Sequence, residues 1–110
     1  MVKCWFDYST VIITGASSGL GKEIARRLVT EHNCRVIGIA RSEDKLKKLS
    51  EELGSKSYLF SYRTFDVSHK EKWDELAQQL KNDNVQVDML INNGGILPRF
   101  DNKRTLNLLQ

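Results

Sequence analysis

The sequence has 110 residues, a length that allows one domain with a modest hydrophobic core. Hydrophobic residues make up 40% and charged residues 28%, as in ordinary globular proteins, and no segment has the apolar length of a signal peptide or a membrane span. The net charge of +3 comes from basic residues dispersed among acidic ones, and the two cysteines are too few for a disulfide framework or a metal site. We therefore expect one cytoplasmic domain over 1–110, without membrane or nucleic-acid partners.

The first predicted strand is Thr10–Thr14, a run of β-branched residues that is typical of a strand buried on both faces in a parallel sheet. A helix is predicted from about Gly19 to Glu31 because apolar residues recur there at helical spacing, and Asn33 marks its end. The residues of this helix that are expected to be buried are Leu20, Ile24, Ala25 and Leu28.

The segment Thr14–Gly21, with the sequence TGASSGLG, joins this strand to this helix. The first N–H groups of a helix have no partner within it, and the helix dipole is positive at that end, so a pyrophosphate can bind there. Gly15, Gly19 and Gly21 permit a tight turn and a close approach of the backbone to phosphate. The plain alternative is that the glycines only form a turn and that the two serines only cap the helix.

The same residues also match Gly-x-Ser-x-Gly, the nucleophile elbow of serine hydrolases, with Ser17 as the nucleophile. That chemistry needs a histidine base held by a carboxylate. The available histidines are His32, at the far end of the predicted helix, and His69, beyond the third predicted strand, and neither is expected to reach Ser17. Neither histidine has a partner at ligand spacing, so no metal site is predicted.

The second predicted strand is Cys34–Ala40, and Arg41 follows it directly. Ser42 is predicted to cap the next helix, whose first turn carries two acidic residues that the helix dipole favours. Gly54 is the expected end of this helix. Its expected inner face consists of Leu46, Leu49 and Leu53.

The third predicted strand, Tyr58–Phe65, alternates polar and apolar residues, which favours a position at the edge of the sheet. Asp66 and Val67 follow it. Ser68 and Glu71 then match the spacing of a capping box at the start of a third helix. The residues of that helix that are expected to be buried are Trp73, Leu76, Ala77 and Leu80.

The fourth predicted strand, Val87–Ile91, leads into Asn92-Asn93-Gly94-Gly95. Alternating strands and helices with long connections predict an α/β fold of the Rossmann type, a doubly wound parallel sheet. The expected strand order is 3-2-1-4, with a cofactor crevice between strands one and four, where the order reverses. Segment 98–110 is expected to begin a further crossover that is cut off, so that the sheet is truncated after its fourth strand.

Four features therefore follow successive predicted strands: TGASSGLG, Arg41, the pair Asp66–Val67, and the segment Asn92–Gly95. In this order they resemble the cofactor-binding half of the short-chain dehydrogenase/reductase family, and the resemblance spans nearly all of residues 10 to 97. One departure is Gly94, where the family has alanine, and we expect this change to be mild.

The resemblance implies that the chain binds NADP, with NAD less favoured. Arg41 would bind the 2′-phosphate of NADP. Enzymes of this fold that use NAD have a carboxylate at this position, which accepts a hydrogen bond from the ribose 2′-hydroxyl and would repel a phosphate. Asp66 and the Val67 N–H would contact the adenine. The plain alternatives are a solvated arginine and a carboxylate at the start of a helix. The implied cofactor-binding residues are Gly15, Ser17, Ser18, Gly19, Leu20, Gly21, Arg41, Asp66, Val67, Asn92 and Gly94.

The family's reaction is hydride transfer between the nicotinamide and an alcohol or a ketone. Its catalytic serine and its Tyr-x-x-x-Lys motif lie beyond the matched part, and none of the three tyrosines here has lysine four residues on, so no catalytic residue is assigned. The 110-residue chain alone is therefore expected to be inactive and, through an open edge at its fourth strand, to form a homo-oligomer. The alternative is a non-catalytic nucleotide-binding or assembly module.

Overall fold

Four parallel strands alternate with helices along residues 4–94, the part of the chain that the computed structural model describes. The elements are β1 (Thr10–Thr14), α1 (Gly19–His32), β2 (Arg35–Ala40), α2 (Glu43–Glu52), a 3-10 helix (Gly54–Leu59), β3 (Phe60–Thr64), α3 (Lys70–Asn82) and β4 (Met89–Asn92). The strand order is β3-β2-β1-β4, and each neighbouring pair is parallel. The predicted α/β sheet of the Rossmann type and its strand order are therefore confirmed.

Helices cover both faces of this sheet. On one face, Val11 and Ile13 of β1 pack with buried residues of α1 and α2, such as Val29 and Leu49. On the other face, Ile12 packs with the buried residues of α3. Because neighbouring residues of a strand point to opposite faces, the apolar run of β1 contributes to both cores. The sheet is thus doubly wound, as the sequence predicts.

The buried face of α1 differs from the predicted one in its first turn. Ala25 and Leu28 are buried as expected, but Leu20 is 67% exposed, so its predicted burial is wrong. Gly21 is the buried residue of that turn, and Leu20 lies about 100° away around the helix axis. The predicted end of α1 is confirmed, since Asn33 caps it with a left-handed φ of 53°.

The start of α3 also differs from the prediction. A capping box of Ser68 and Glu71 is wrong, because α3 begins at Lys70 with His69 as the N-cap residue and without a side-chain cap bond. Ser68 instead donates its N–H and its hydroxyl to Asp66 Oδ1, at 2.9 and 2.8 Å. An ionised carboxylate two residues earlier is the stronger acceptor and keeps the serine out of the helix.

The other element boundaries move by one or two residues. β3 begins at Phe60 instead of residue 58, because the chain leaving α2 first forms the 3-10 helix, and the predicted edge position of β3 is confirmed. The predicted cap of α2 is confirmed as well, since Ser42 Oγ accepts from the Lys45 N–H at 3.4 Å. The three leucines predicted for the inner face of α2 are all buried.

The predicted segment 98–110 and Gly95 lie outside the described residues. Between residues 4 and 94, none of the helices combines the length and the apolar character that crossing a membrane requires.

Candidate functional site

The four segments singled out in the sequence meet at one edge of the sheet. Gly15 follows β1, Arg41 follows β2, Asp66 comes two residues after β3, and Asn92 ends β4. All neighbouring strands are parallel, so their carboxyl ends lie on the same edge. β1 stands between β2 and β4, which is where the strand order reverses and where folds of this kind form a ligand crevice.

The glycine segment turns sharply as it leaves β1. Gly15 has a φ of 68°, a left-handed conformation that glycine adopts without strain, and its N–H donates to the Ile39 carbonyl at 2.8 Å. A Cβ atom on Gly15 would stand 2.9 Å from the Cα atom of Gly94. The turn therefore packs directly against the end of β4, with no room for a side chain between the two backbones.

The amino end of α1 is open to an anion. Ser18 is its N-cap residue, yet the Ser18 side chain makes no cap hydrogen bond, and the first turn carries no acidic residue. Ser18, Gly19 and Leu20 are exposed. The first N–H groups of the helix are thus accessible at the positive end of its dipole, which are the properties of a phosphate site.

Gly94 takes part in the close packing around the glycine turn. A Cβ atom at this position would stand 2.5 Å from the Gly15 nitrogen and 3.0 Å from the Thr14 carbonyl carbon. Real side chains essentially never come closer than 3.0 Å to such atoms. Alanine at position 94 would therefore force one of the two backbones of this chain to move.

Thr14 connects the ends of β1 and β4, a role that the sequence analysis missed. Its fully buried hydroxyl donates to Asn92 Oδ1 at 2.9 Å and accepts from the N–H groups of Asn93 and Gly94 at 2.8 and 2.9 Å. The asparagine that ends β4 is thus bonded to the neighbouring strand. A hydroxyl at the carboxyl end of a strand whose three central residues are apolar was the available signal, because buried polar groups need partners.

We expect Thr14→Val to lower the free energy of unfolding by about 1–3 kcal/mol, because a near-isosteric side chain removes all three hydrogen bonds. The matched control is Thr10→Val at the other end of β1, where no side-chain hydrogen bond of Thr10 is found among residues 4–94. Urea denaturation of both variants measures the difference. Equal losses in the two variants would show that the Thr14 hydroxyl does not hold the strands together.

Arg41 and Asp66 lie at the neighbouring carboxyl ends of β2 and β3, and Arg41 is exposed. The Ser68 N–H and then the Ser68 hydroxyl hold the pKa of Asp66 below its ordinary value, with a smaller contribution from the positive charge of Arg41. Asp66 therefore holds the turn before α3 through Ser68, near the start of the helix as the plain alternative proposed, and does not bond the helix itself. Both hydrogen bonds use Oδ1, so this role leaves the Oδ2 side of the carboxylate for a ligand.

Contacts with α3 hold Val67 in place. Its side chain is buried, and its carbonyl oxygen accepts from Trp73 Nε1 at 2.7 Å. Among the hydrogen bonds of residues 4–94, none uses the Val67 N–H, the group predicted to contact the adenine. The pair Asp66–Val67 thus offers an acceptor and a donor side by side, a combination suited to the edge of a nucleobase.

The histidines do not support the nucleophile-elbow alternative. His32 is the last residue of α1 and lies about 20 Å from its first turn, because a helix rises about 1.5 Å per residue. His69 is the N-cap residue of α3, and among the hydrogen bonds of residues 4–94 none joins its side chain to a carboxylate, the partner that a histidine base of this kind requires. The length of α1 puts His32 out of reach of Ser17. His32 has no partner at ligand spacing along the sequence, but the fold brings Cys4 and Asp7 beside it.

Comparison with known proteins agrees with this geometry. The sequence profile of the short chain dehydrogenase family matches residues 9–108. The (S)-benzoin-forming benzil reductase of Bacillus cereus is 44% identical over 87 residues, which cover 77% of this chain and 34% of the relative. A short chain dehydrogenase structure from Bacillus anthracis has a TM-score of 0.73 at 30% identity, covering 82% of this chain and 36% of that one. A variant of actinorhodin polyketide ketoreductase, solved with NADPH, has a TM-score of 0.67 at 30% identity, covering 97% of this chain and 42% of that one.

The chain thus spans about a third of the length of the benzil reductase and a little more of the two solved structures. The matched region nevertheless contains every segment of the site described above, from the glycine turn after β1 to the end of β4. On these grounds the chain belongs to the short-chain dehydrogenase family.

Proposed function

We propose that this chain provides the cofactor-binding half of an NADP-dependent oxidoreductase that acts on an alcohol or a ketone. The observation that carries the proposal is the position of Arg41, an exposed cation directly after β2, on the same edge as the open amino end of α1. A dinucleotide along this edge would place its pyrophosphate on α1 and its adenosine ribose near Arg41.

The charge at the end of β2 favours NADP over NAD. Folds of this kind bind the 2′-hydroxyl of NAD with an acidic residue at this position, and this chain has Arg41 there. A guanidinium can donate two parallel hydrogen bonds to a phosphate and remains charged at every physiological pH. The ketoreductase structure that resembles this chain was solved with NADPH, which supports the same preference.

The residues of the glycine turn fit the diphosphate of such a cofactor. Side chains are excluded where Gly15 meets Gly94, and the first N–H groups of α1 are exposed. Asp66 Oδ2 and the Val67 N–H would orient the adenine, while Thr14 fixes the end of β4 that borders the crevice. When bound, the cofactor would supply the hydride that passes to or from a carbonyl carbon.

The class of substrate rests on the family and on the relatives. The benzil reductase and the polyketide ketoreductase are both named for the reduction of a ketone, which supports a carbonyl or alcohol substrate for the whole protein. No catalytic residue is assigned between residues 4 and 94. A cytoplasmic location, a homo-oligomeric state, and the lack of nucleic-acid or membrane partners stay predictions of the sequence.

The test is the affinity of the chain for NADPH and NADH, measured by calorimetry before and after Arg41→Asp. We expect the unchanged chain to bind NADPH more tightly, and the variant to reverse that order. A charged hydrogen bond to phosphate is worth about 1.5–3 kcal/mol, or roughly ten- to a hundredfold in affinity.

The matched control is Arg35→Asp, which makes the same charge change at the other end of β2. Because Arg35 lies on the opposite edge of the sheet, this variant should keep the preference for NADPH. If the unchanged chain bound the two cofactors with equal affinity, Arg41 would not select NADPH. If Arg41→Asp and Arg35→Asp changed the affinities equally, the effect of Arg41 would be one of net charge alone.

A further inference from the structure

Three side chains with metal-binding atoms meet near the amino ends of the strands, on the side of the sheet opposite the cofactor site. Cys4 and Asp7 belong to the turn that precedes β1, and His32 is the last residue of α1. Each offers one ligand atom, and these atoms all lie within 4.8 Å of one another. None of the three residues has a part in the proposed cofactor site, so this cluster requires its own explanation.

Backbone hydrogen bonds hold the three residues together independently of their side chains. The Asp7 N–H donates to the Cys4 carbonyl at 3.0 Å, which closes a turn and brings the two side chains to the same side. The Tyr8 N–H then donates to the His32 carbonyl at 3.0 Å, which ties that turn to the end of α1. The backbone therefore holds the three residues close together before any ligand binds.

The side chains within the cluster already interact. Asp7 Oδ1 lies 2.8 Å from His32 Nδ1, and Asp7 Oδ2 accepts from the Cys4 N–H at 3.0 Å. The side chains of Asp7 and His32 are 17% and 26% exposed, so the cluster is half-buried but reachable from solvent. The carboxylate thus contacts both the Cys4 main chain and the imidazole, where it can ligate a metal or orient the histidine that does.

We propose that Cys4, Asp7 and His32 bind a divalent transition metal of the zinc type. Sulfur, nitrogen and oxygen donors together suit Zn²⁺ and its neighbours, whereas Ca²⁺ and Mg²⁺ prefer oxygen alone. Ligands of a tetrahedral zinc lie about 3.3–3.6 Å apart, so atoms that lie up to 4.8 Å apart must approach by at most about 1.2–1.5 Å through side-chain rotation. Asp7 Oδ1 and His32 Nδ1, which lie 2.8 Å apart, must separate slightly if both bind the metal. On binding, the thiol releases its proton to solvent, and so does the ligating imidazole nitrogen if it carries one, so that a thiolate, a neutral imidazole and a carboxylate take the metal.

Such a metal would fasten the turn before β1 to the carboxyl end of α1. The bond from Asp7 to His32 and the bond from Tyr8 to the His32 carbonyl already join these two segments. A metal bound by all three side chains adds Cys4 to that connection. The alternative is that Asp7 and His32 form an ion pair and nothing more, and a metal titration separates the two.

The experiment is a titration of the full chain, without an affinity tag, with Zn²⁺ against a chromophoric chelator and with Co²⁺ by absorbance. We expect one ion per chain and, with Co²⁺, the charge-transfer absorption of a thiolate bound to cobalt. Loss of an outer-shell partner of a metal already costs about ten- to a hundredfold in affinity, so Cys4→Ser and His32→Asn should each weaken Zn²⁺ binding by at least about tenfold.

The chain offers a matched control for each ligand, because it contains two cysteines and two histidines. Cys34→Ser should keep the thiolate absorption, and His69→Asn should keep the affinity for Zn²⁺. If a ligand variant does not fold, alkylation of the unchanged protein with iodoacetamide replaces it, and Zn²⁺ should protect Cys4. An unprotected Cys4, or equal Zn²⁺ affinity of the unchanged chain and its ligand variants, would overturn the site and leave the ion pair.

Discussion

We expect Gly21→Ala to lower the affinity for NADPH by roughly a hundredfold or more and to destabilise the fold by about 1–3 kcal/mol. A Cβ atom on Gly21 would overlap the Gly15 carbonyl oxygen and would stand 2.6 Å from Asn93 Nδ2. The first turn of α1 would then have to move away from the glycine turn. Because the phosphates are proposed to lie on that first turn, their hydrogen bonds would be lost together.

The matched control is Gly54→Ala, after the end of α2. Gly54 has a φ of 57° and no heavy atom within 4 Å of an added Cβ atom, so this variant pays only for its left-handed backbone, about 1–2 kcal/mol. It should bind NADPH unchanged. Calorimetry gives the affinity and urea denaturation gives the stability. A Gly21→Ala chain that still binds NADPH at full affinity would show that the cofactor does not depend on this close approach.

The prediction from sequence was correct where the local residue pattern and the overall fold require the same structure. The apolar run of β1 and the TGASSGLG segment placed a strand, a turn and a helix correctly, since each residue type there is strongly restricted. The long connections predicted parallel strands, and the order of the strands followed from the Rossmann-type fold that these strands and helices indicate. The segments after the four strands therefore fell on one edge without any tertiary information.

The prediction failed where two local patterns compete or where distant residues meet. Ser68 has the right spacing to Glu71 for a capping box. Asp66 is a nearer acceptor, however, and the N–H and the hydroxyl of Ser68 both donate to its carboxylate. Leu20 matches a helical stripe, yet the close contact of Gly21 with the glycine turn decides which way the first turn faces.

Contacts over long sequence separations gave no periodic signal at all. The bonds from Thr14 to Asn92 and Asn93, and the meeting of Cys4 with His32, join residues that only the folded chain brings together. Spacing rules for metal ligands search within short windows, and this cluster spans the whole of β1 and α1.

We expect Trp73→Ala to destabilise the fold by about 3–5 kcal/mol, as the loss of a large buried aromatic side chain does. Trp73 is the largest side chain that is fully buried, it packs edge-on against Phe65 at 5.5 Å, and it supports the Val67 carbonyl. Its loss would leave a cavity beneath the turn that carries Asp66, so NADPH affinity should also fall. Urea denaturation followed by circular dichroism measures the stability without relying on tryptophan fluorescence.

Two further variants separate packing from hydrogen bonding at this position. Trp73→Phe keeps much of the ring but leaves the Val67 carbonyl without its 2.7 Å partner, and should cost about 1–3 kcal/mol. Trp5→Ala removes the other tryptophan, which is 84% exposed, and should change stability by less than about 0.5 kcal/mol. If Trp73→Phe lowered NADPH affinity as much as Trp73→Ala, the hydrogen bond to Val67 would be what positions the adenine-binding turn. If it left the affinity unchanged, the packing of the ring alone would suffice.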